Sequence, residues 1–353
     1  MAKKKQVSIF YGGFTFIVGG VNIHLQSLRD GLEQQGYQVN VYTLDSLPLL
    51  IKYIPHFTEK LINFFKFPLG FAYKGIVTKM LFRIFFGKKA DYFVFEDIYL
   101  SWNTNIPSIT MLHAVWSDNL QSFQTSENQM KALKQKEIKL IEGIHHPIAT
   151  VSQPYLDFLK FDHFSEQILK QIHHLPLGIN QSDFIDTQKR LSMNKKIIYI
   201  GALESRKNVI FLLEVFKKLF EFDNDYALTV IGDGPDRNIV EKFIATYNLP
   251  VRLLGRISHL AVVEELFQND LYLHSSTKES FSYALLEAKL AGLTTFAYSG
   301  LQVPSEFIDI KISDYDVDHW FDAITNNDAM PAKIDSNKYT IEAMTSNTIT
   351  IAG

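Results

Sequence analysis

The sequence contains no cysteine, carries little net charge and has no long apolar stretch free of charged residues. The absence of cysteine among 353 residues excludes disulfide scaffolds, thiolate zinc sites and a cysteine nucleophile. Thirty-five basic residues against 38 acidic residues leave a formal net charge of -3. Such a chain has no overall positive field to attract a polyanion, so no nucleic-acid partner is predicted.

The most apolar segment, residues 48–90, is interrupted by charged side chains every few residues. A membrane-spanning helix needs about 20 mostly uncharged residues, so this segment is not expected to cross a bilayer. The basic run at the start reaches Gly12 and Gly13 before an apolar stretch of signal-peptide length develops, and we therefore expect a cytoplasmic protein. The interrupting residues are Lys52, Lys60, Lys66, Lys74, Lys79 and Arg83.

Short apolar runs alternate with helix-period segments along a chain that is 46% hydrophobic. The run VSIFYGGF leads into VNIHLQSLRDGLEQQG, and KIIYIGALESRKN leads into VIFLLEVFKKLFEF. Strands that alternate with helices of about 10 to 15 residues indicate parallel sheets covered by helices. At about 150 residues per domain, the length predicts two domains. The alternation of strands and helices predicts that each is a doubly wound, Rossmann-like α/β domain. Two such domains are expected to face each other across a cleft.

The polar stretch at residues 181–194 is the candidate linker. We therefore place one domain at residues 1–185 and a second at residues 186–353, and leave open that the last segment returns to the first domain. Ligands of open α/β sheets bind beyond the carboxyl ends of the strands, so candidate site residues are sought there.

Two cations, Arg206 and Lys207, follow the strand IIYIG and precede a helix that begins near Asn208. Cations beside a helix N-terminus suit a diphosphate. Two ordinary surface charges in a solvated loop are the alternative.

A second helix N-terminus lies in ESFSYALLEAKLAG, where Ser280 or Ser282 can cap the helix and Gly292 can end it. Glu279 precedes this helix, and Glu287 lies inside it with a side chain that leans toward the N-terminus, so both carboxylates can reach one region. Carboxylates can accept hydrogen bonds from vicinal hydroxyls, as a ribose presents them. The amides expected to point at an anion are those of Ser282, Tyr283 and Ala284.

The ordered set of motifs resembles the retaining nucleotide-sugar glycosyltransferases of family 4, which have the GT-B fold. The set comprises GGVNIHLQSLRDGLEQQGYQVNVYT, LHAVW, ATVSQPYLDFL, LPLGIN, GALESRKN, VIGDGP, VRLLGRI and the E-x7-E pair Glu279 and Glu287. The resemblance implies a hexosyltransferase that moves a sugar from a nucleotide diphosphate, with UDP the expected carrier, to a hydroxyl of a glycan or glycolipid. It assigns the acceptor to the first domain and the donor to the second.

Carried over residue by residue, the resemblance implies that Arg206 and Lys207 neutralise the donor diphosphate. Glu287 would hold the ribose hydroxyls, Glu279 would lie beside the donor sugar, and the amides of residues 282–284 would meet the phosphates.

The resemblance also assigns roles to residues outside this set. Gly19 and Gly20 would let backbone approach the phosphate, His113 would face the transferred sugar as a catalytic residue, and Arg252 would lie in a loop beside the nucleobase. The chain departs from the family pattern where Ser282 replaces Gly, Thr294 replaces Pro and Asn180 replaces Asp. A side chain at residue 282 could narrow the donor pocket.

No metal site and no cofactor are predicted, because cations and helix amides can stabilise a leaving diphosphate. The acidic triplets at residues 223–225 and 316–318 are interpreted as hydrated turns. The doublets His145–His146 and His173–His174 lack carboxylates at metal-ligand spacing. His24 matches a family histidine but is assigned to packing.

Two other functions remain as alternatives. Gly232-x-Gly234 follows a strand, as in a nicotinamide dehydrogenase, but Arg237 stands where the fingerprint requires its last glycine. The other alternative is a noncatalytic nucleotide-sugar-binding partner of another glycosyltransferase.

Residues 48–90 carry eight basic residues against a single acidic one, Glu59. Basic residues mixed with Phe, Leu and Ile are typical of helices that lie on an anionic membrane. Helices that cover the first sheet, with lysines reaching outward, explain the pattern equally well. The first interpretation predicts peripheral contact with the inner face of the membrane and a lipid-linked or membrane-proximal acceptor.

Overall fold

The computed structural model divides the chain into two compact units. The first unit comprises Met1–Ile179 and Asn337–Gly353, and the second comprises Asn180–Ser336. The structure describes residues 4–14, 20–66, 69–88, 90–115, 117, 126–162, 164–184, 195–326 and 331–353.

The strands described in the first unit are β1 (Gln6–Phe10), β2 (Gln38–Tyr42), β3 (Tyr92–Phe95), β4 (Ser108–Leu112), β5 (Ile148–Thr150) and β6 (Ile172–His174). They form one parallel sheet in the order β2-β1-β3-β4-β5-β6. Every residue of β3 and β4 is buried. This burial explains why YFVF reads as a continuous apolar run without polar alternation.

The helices described in the same part of the chain cover the apolar sheet and complete its core. Phe82 of the third helix, for example, packs against Phe10, with ring centroids 5.9 Å apart. The helices are α1 (Gly20–Gln34), α2 (Ile54–Lys66), α3 (Gly70–Phe86), α4 (Glu127–Glu142), α5 (Gln153–Asp162) and α6 (Glu166–Leu169).

The second unit contains a second sheet, with strands β7 (Lys196–Ile200), β8 (Ala227–Ile231), β9 (Val251–Gly255), β10 (Leu271–His274), β11 (Thr294–Tyr298) and β12 (Ile310–Ile312). These strands are also parallel, in the order β12-β11-β10-β7-β8-β9. Because β7 and β10 are neighbours at the centre, the loops that follow them emerge side by side at the carboxyl edge.

Helices alternate with these strands and bury their apolar faces against them. In the first of these helices, Leu212, Phe216 and Leu219 are fully buried at i, i+4 and i+7 spacing, which is one helical face. Each such side chain contributes about 1.5 to 3 kcal/mol of burial free energy. The helices are α7 (Val209–Phe222), α8 (Arg237–Thr246), α9 (His259–Phe267), α10 (Tyr283–Leu290) and α11 (Val317–Thr325).

The C-terminal helix α12 (Ile341–Ala352) belongs to the first unit and packs on α1 at Gly31. A Cβ atom at Gly31 would lie 2.4 Å from Ile341 Cγ2 and 2.7 Å from Thr345 Cγ2, so only glycine permits this approach. Gln35 Nε2 donates to Thr345 Oγ1 over 2.7 Å at the same contact.

The predicted α/β architecture with two parallel sheets is confirmed. Of the helices in the described ranges, none is long and apolar enough to cross a membrane.

Candidate functional site

The two predicted cations lie in a short 3-10 turn, Ser205–Lys207, that follows β7. Lys207 N donates to Glu204 O over 2.9 Å and closes the turn. Asn208 has φ 52°, a left-handed conformation that asparagine adopts more readily than most residues, and α7 begins directly after it. The turn thus holds Arg206 and Lys207 at the carboxyl edge of the sheet.

The Glu279 carboxylate lies against both cations. Lys207 Nζ pairs with Glu279 Oε1, and Arg206 Nη1 lies 3.6 Å from the same oxygen. Ser276 Oγ also donates to Oε1, over 2.8 Å. The structure therefore brings together three residues that the sequence analysis placed in the site.

Backbone contacts fix the loop that carries Glu279 against the cationic turn. Thr277 N donates to Arg206 O over 3.0 Å, and Ser275 Oγ donates to Lys207 O over 2.7 Å. Arg206 Nη1 donates to Lys278 O over 3.0 Å. The relative position of the charged groups is therefore set before any ligand binds.

Glu279 is ionised although its side chain is only 11% exposed. Burial raises the pKa of this carboxyl. The Lys207 ammonium, His274 and the Arg206 guanidinium together lower the pKa by more than burial raises it, so it lies well below its ordinary value. His274 Nε2 lies 3.5 Å from Glu279 Oε1, and Tyr272 Oη lies 3.1 Å from the other ring nitrogen. Burial lowers the pKa of His274 more than Glu279 raises it.

Helix α10 begins after Ser282, whose Oγ accepts a hydrogen bond over 3.2 Å from the amide three residues later. The first intrahelical hydrogen bond runs from Leu286 N to Ser282 O over 3.1 Å, so the amides of Tyr283 and Ala284 precede it. Gly292, with φ 81°, follows the end of the helix. These amides carry the positive end of the helix dipole next to the loop of Glu279.

Glu287, one turn inside α10, is buried and pairs with a histidine that the sequence analysis did not identify. His259 Nε2 lies 3.2 Å from Glu287 Oε1, and His259 Nδ1 lies 3.8 Å from Asp183 Oδ2. The hydrogen bond to Glu287 raises the pKa of His259, despite the opposing effect of burial. Glu279 and Glu287 have different partners, but both raise the pKa of buried Tyr272, whose main shift comes from burial.

The glycines of VIGDGP allow close packing of two loops at this edge. A Cβ atom at Gly232, which has φ 138°, would lie 1.8 Å from Gly201 O, and a Cβ at Gly234 would lie 2.3 Å from Leu203 O. Leu203 N donates to Asp233 O over 3.2 Å. The glycine pair is thus explained by contact between the loops after β7 and β8, without a dinucleotide.

The structure corrects the expected position of Arg252. This residue lies within β9, not in a loop, because VRLLG continues the sheet. Its guanidinium forms two hydrogen bonds with Glu265, of 3.0 and 2.8 Å. Arg256, which sequence analysis did not select, directly follows the carboxyl end of β9.

In the first unit, Gly20 is the first residue of α1, whereas Gly19 lies outside the described residues. His113 directly follows β4, and its Nε2 lies 2.8 Å from Glu96 Oε2. His24 Nε2 lies 3.3 Å from the same oxygen, within ion-pair distance but not aligned as a hydrogen bond.

Glu96 is a buried carboxylate that the sequence analysis missed. Burial raises its pKa, but the charge of His24 and the hydrogen bond with His113 lower it more, to about 2. The feature of the sequence that could have pointed to Glu96 is its position directly after the strand YFVF. The buried carboxylate orients the ring of His113.

The acidic triplets have local partners. Lys195 Nζ lies 2.6 Å from Asp223 Oδ2 and 3.1 Å from Asp225 Oδ2. Asp316 caps α11 by accepting from the amides of Asp318 and His319 over 2.8 and 3.1 Å. Ion pairing and helix capping thus account for both sequences.

Helix α2 presents an apolar surface, which we define as Phe57, Leu61, Phe64 and Phe65. Each of these side chains is at least 47% exposed, and their i, i+4, i+7 and i+8 spacing places them on one helical face. Glu59 is the acidic residue within residues 48–90. Its negative charge is compensated by Lys74 of α3, whose Nζ lies 3.0 Å from Glu59 Oε2.

Comparison with known proteins shows what the second unit is similar to. Residues 181–326 match the family model described as glycosyl transferases group 1. A segment of 121 residues, 34% of this chain, is 31% identical to a subunit of the human phosphatidylinositol N-acetylglucosaminyltransferase. That match spans only 25% of the human protein. Over 318 residues the chain is 22% identical to the 2-deoxystreptamine N-acetyl-D-glucosaminyltransferase of Niallia circulans, covering 78% of this chain and 79% of that one.

Solved structures support the same fold for the whole chain. Sucrose-phosphate synthase from Thermosynechococcus elongatus superimposes with a TM-score of 0.71 at 17% identity, covering 99% of this chain and 94% of that chain. HepE from Anabaena, crystallised with UDP-glucose, superimposes with a TM-score of 0.60 at 15% identity, covering 99% and 94%. Residues 181–326 are therefore similar to the glycosyl transferases of group 1, and the chain has the GT-B fold.

Proposed function

We propose that this chain is a retaining glycosyltransferase of family 4 that transfers a hexosyl group from a UDP-sugar to a hydroxyl of a glycan or lipid-linked acceptor. The observation that carries the proposal is the convergence of Arg206, Lys207 and Glu279 beside the N-terminus of α10. It supplies cations and amides for a diphosphate and a carboxylate for a sugar.

Donor binding uses groups that already lie in place. The Lys207 ammonium has three N–H donors, so it can keep its ion pair with Glu279 and also donate a hydrogen bond to a phosphate oxygen. The Arg206 guanidinium and the amides of Tyr283 and Ala284 add further donors to the same leaving group. Because these groups compensate the charge that develops on the diphosphate, the reaction needs no metal ion on the donor.

The carboxylates serve the two sugar rings of the donor. Glu279, held ionised, lies beside the transferred sugar, where positive charge develops as the bond to phosphate breaks. Glu287 binds the ribose hydroxyls and is oriented by His259. The resemblance places His113 beside the transferred sugar. The departing phosphate takes the proton of the acceptor hydroxyl, which attacks from the face of the sugar that the phosphate leaves. The anomeric configuration is therefore retained.

The remaining assignments follow the resemblance alone. Gly19 and Gly20 would lie near the phosphates.

The relatives support UDP as the carrier and a lipid-linked or glycan acceptor. HepE binds UDP-glucose, and the human relative is named for transfer to phosphatidylinositol. The apolar surface of α2, flanked by basic residues, supports peripheral contact with an anionic membrane. We therefore propose that the acceptor is presented at the inner face of a membrane.

A panel of UDP-, GDP- and ADP-sugars tests this function by calorimetry and by release of nucleotide. We expect the purified chain to bind and hydrolyse a UDP-sugar. Lys207→Ala should lower the catalytic efficiency by about 10²-fold or more, whereas Lys242→Ala, an exposed lysine of α8, should not change it. Binding without turnover by the wild type would favour a noncatalytic partner, and no binding of any donor would refute the proposal.

A further inference from the structure

Three side chains at the carboxyl edge of the first sheet converge on one point. His24 comes from α1, Glu96 follows β3 and His113 follows the neighbouring strand β4. One ligand atom from each lies within 4.8 Å of the other two. The imidazole rings lie 5.2 Å apart at 70° to each other, with the carboxylate oxygen in reach of both.

The cluster is buried and incompletely satisfied. The side chains of His24 and Glu96 are fully buried, and that of His113 is 18% exposed. Both ring nitrogens of His24 and Oε1 of Glu96 have no hydrogen-bond partner within the described ranges. Polar atoms buried in this way are unfavourable unless something binds them.

The donor set is that of a transition-metal site. Two imidazole nitrogens and one carboxylate oxygen suit Zn²⁺ and other first-row divalent ions, and a site with three protein ligands keeps an open position. A metal ion about 2.0 to 2.2 Å from each ligand holds tetrahedral ligand atoms about 3.3 to 3.6 Å apart. The separation of His24 Nε2 and Glu96 Oε2, 3.3 Å, already has this value. That of His113 Nε2 and Glu96 Oε2, 2.8 Å, must widen by less than about 1 Å.

An ionic cluster with a protonated histidine is the competing interpretation. The hydrogen bond between His113 and Glu96 would stabilise such an ionic cluster. It leaves both ring nitrogens of His24 without an aligned hydrogen bond, and a metal ion on Nε2 would bind one of them. A bound cation thus accounts for more of the buried polar atoms.

We propose that His24, Glu96 and His113 form a binding site for a divalent transition-metal ion of the Zn²⁺ type in the first unit. The ion would join α1 to the ends of β3 and β4, and its open position would face the partly exposed side of His113. The site depends only on the geometry of the first unit and does not require the transfer reaction proposed above.

Titration of the full, chelator-treated chain with ZnCl₂ in a calorimeter tests the site. We expect one ion per chain in the wild type. Glu96→Gln and His24→Gln should each weaken binding by at least about 100-fold, since even loss of an outer-shell partner costs 10- to 100-fold. His173→Gln, which changes an exposed histidine of β6, should bind like the wild type. CoCl₂ should give the intense visible absorption of a four-coordinate ion in the wild type and in His173→Gln, but not in Glu96→Gln or His24→Gln.

The melting temperature in metal-free buffer separates loss of the site from loss of the fold. Should Glu96→Gln or His24→Gln fail to fold, His113→Gln, at the partly exposed position, provides the same test. Absence of stoichiometric Zn²⁺ binding by the wild type would overturn the proposal. Undiminished binding in the folded ligand variants would do so as well, since it would show that surface histidines alone take up the ion.

Discussion

At the scale of the residue, buried charges in the second unit are compensated pair by pair. Glu279 pairs with Lys207, and Glu287 pairs with His259. The buried Lys289 pairs with Asp309, with 2.6 Å between Nζ and Oδ1. Removing one member of a buried pair typically costs about 3 to 5 kcal/mol, because the other charge is left uncompensated. Variants of the site must therefore be checked for folding before their activity is compared.

Glu279→Gln removes the charge but keeps an acceptor for Ser276. We expect turnover to fall by about 10²- to 10³-fold, because the carboxylate acts on charge that develops only in the transition state. Donor affinity should change by less than about 10-fold, since Arg206 and Lys207 remain. The measurements are kcat and the Kd of the UDP-sugar, with Glu221→Gln, which changes an exposed side chain of α7, as control. An unchanged kcat would remove Glu279 from the active site.

His259 should make the stability of the second unit depend on pH. The hydrogen bond to Glu287 raises the pKa of His259 above 6.5, so its stabilising effect is complete below about pH 6.5 and is lost as pH rises through the raised pKa. Because the ring is 40% exposed, solvent screening limits the effect to about 1 kcal/mol or less. His259→Gln should lower the melting temperature more at pH 6 than at pH 8.5. An equal loss at both values would contradict the assigned pair.

At the scale of the element, close helix packing fixes the C-terminal segment in the first unit. The side chains of Ile341 and Thr345 occupy the space above Gly31, and those of Met344 and Thr348 are buried. The close approach of α12 to α1 at Gly31 is thus possible only because this residue lacks a Cβ atom.

Gly31→Ala tests this contact. Alanine gains about 1 kcal/mol of helix propensity, but overpacking typically costs about 1 to 3 kcal/mol, so we expect a net loss of stability. Gly143→Ala, at the end of α4, meets atoms no closer than 3.4 Å and should change stability by less than about 0.5 kcal/mol. Urea unfolding measures both. A Gly31→Ala protein as stable as the wild type would mean that the two helices separate readily.

The apolar surface of α2 should decide membrane contact. Phe64 and Phe65 are 82% and 72% exposed, so replacing both by Ser should abolish sedimentation with anionic vesicles at low salt without loss of stability. Phe222→Ser, an exposed phenylalanine of the second unit, is the matched control. If the wild type does not sediment with these vesicles, residues 48–90 only cover the first sheet.

At the scale of the whole molecule, periodicity and strand order determine what the sequence can predict. Alternating strands and helices predict two parallel sheets, and residues that follow adjacent strands, such as Lys207 and Glu279, meet because parallel strands end at one edge. Pairs contributed by separate helices, such as His259 and Glu287, depend on helix packing, which periodicity does not define. Arg252 was misplaced because VRLLG extends the sheet by one edge strand.

The central claim is that one donor diphosphate is bound by the cationic turn and the N-terminus of α10. A crystal structure of the chain with a UDP-sugar is its most direct test. We expect phosphate oxygens within about 3.2 Å of Lys207 Nζ, an Arg206 guanidinium nitrogen and the Ala284 amide. A donor whose phosphates lie away from these three groups would contradict the claim.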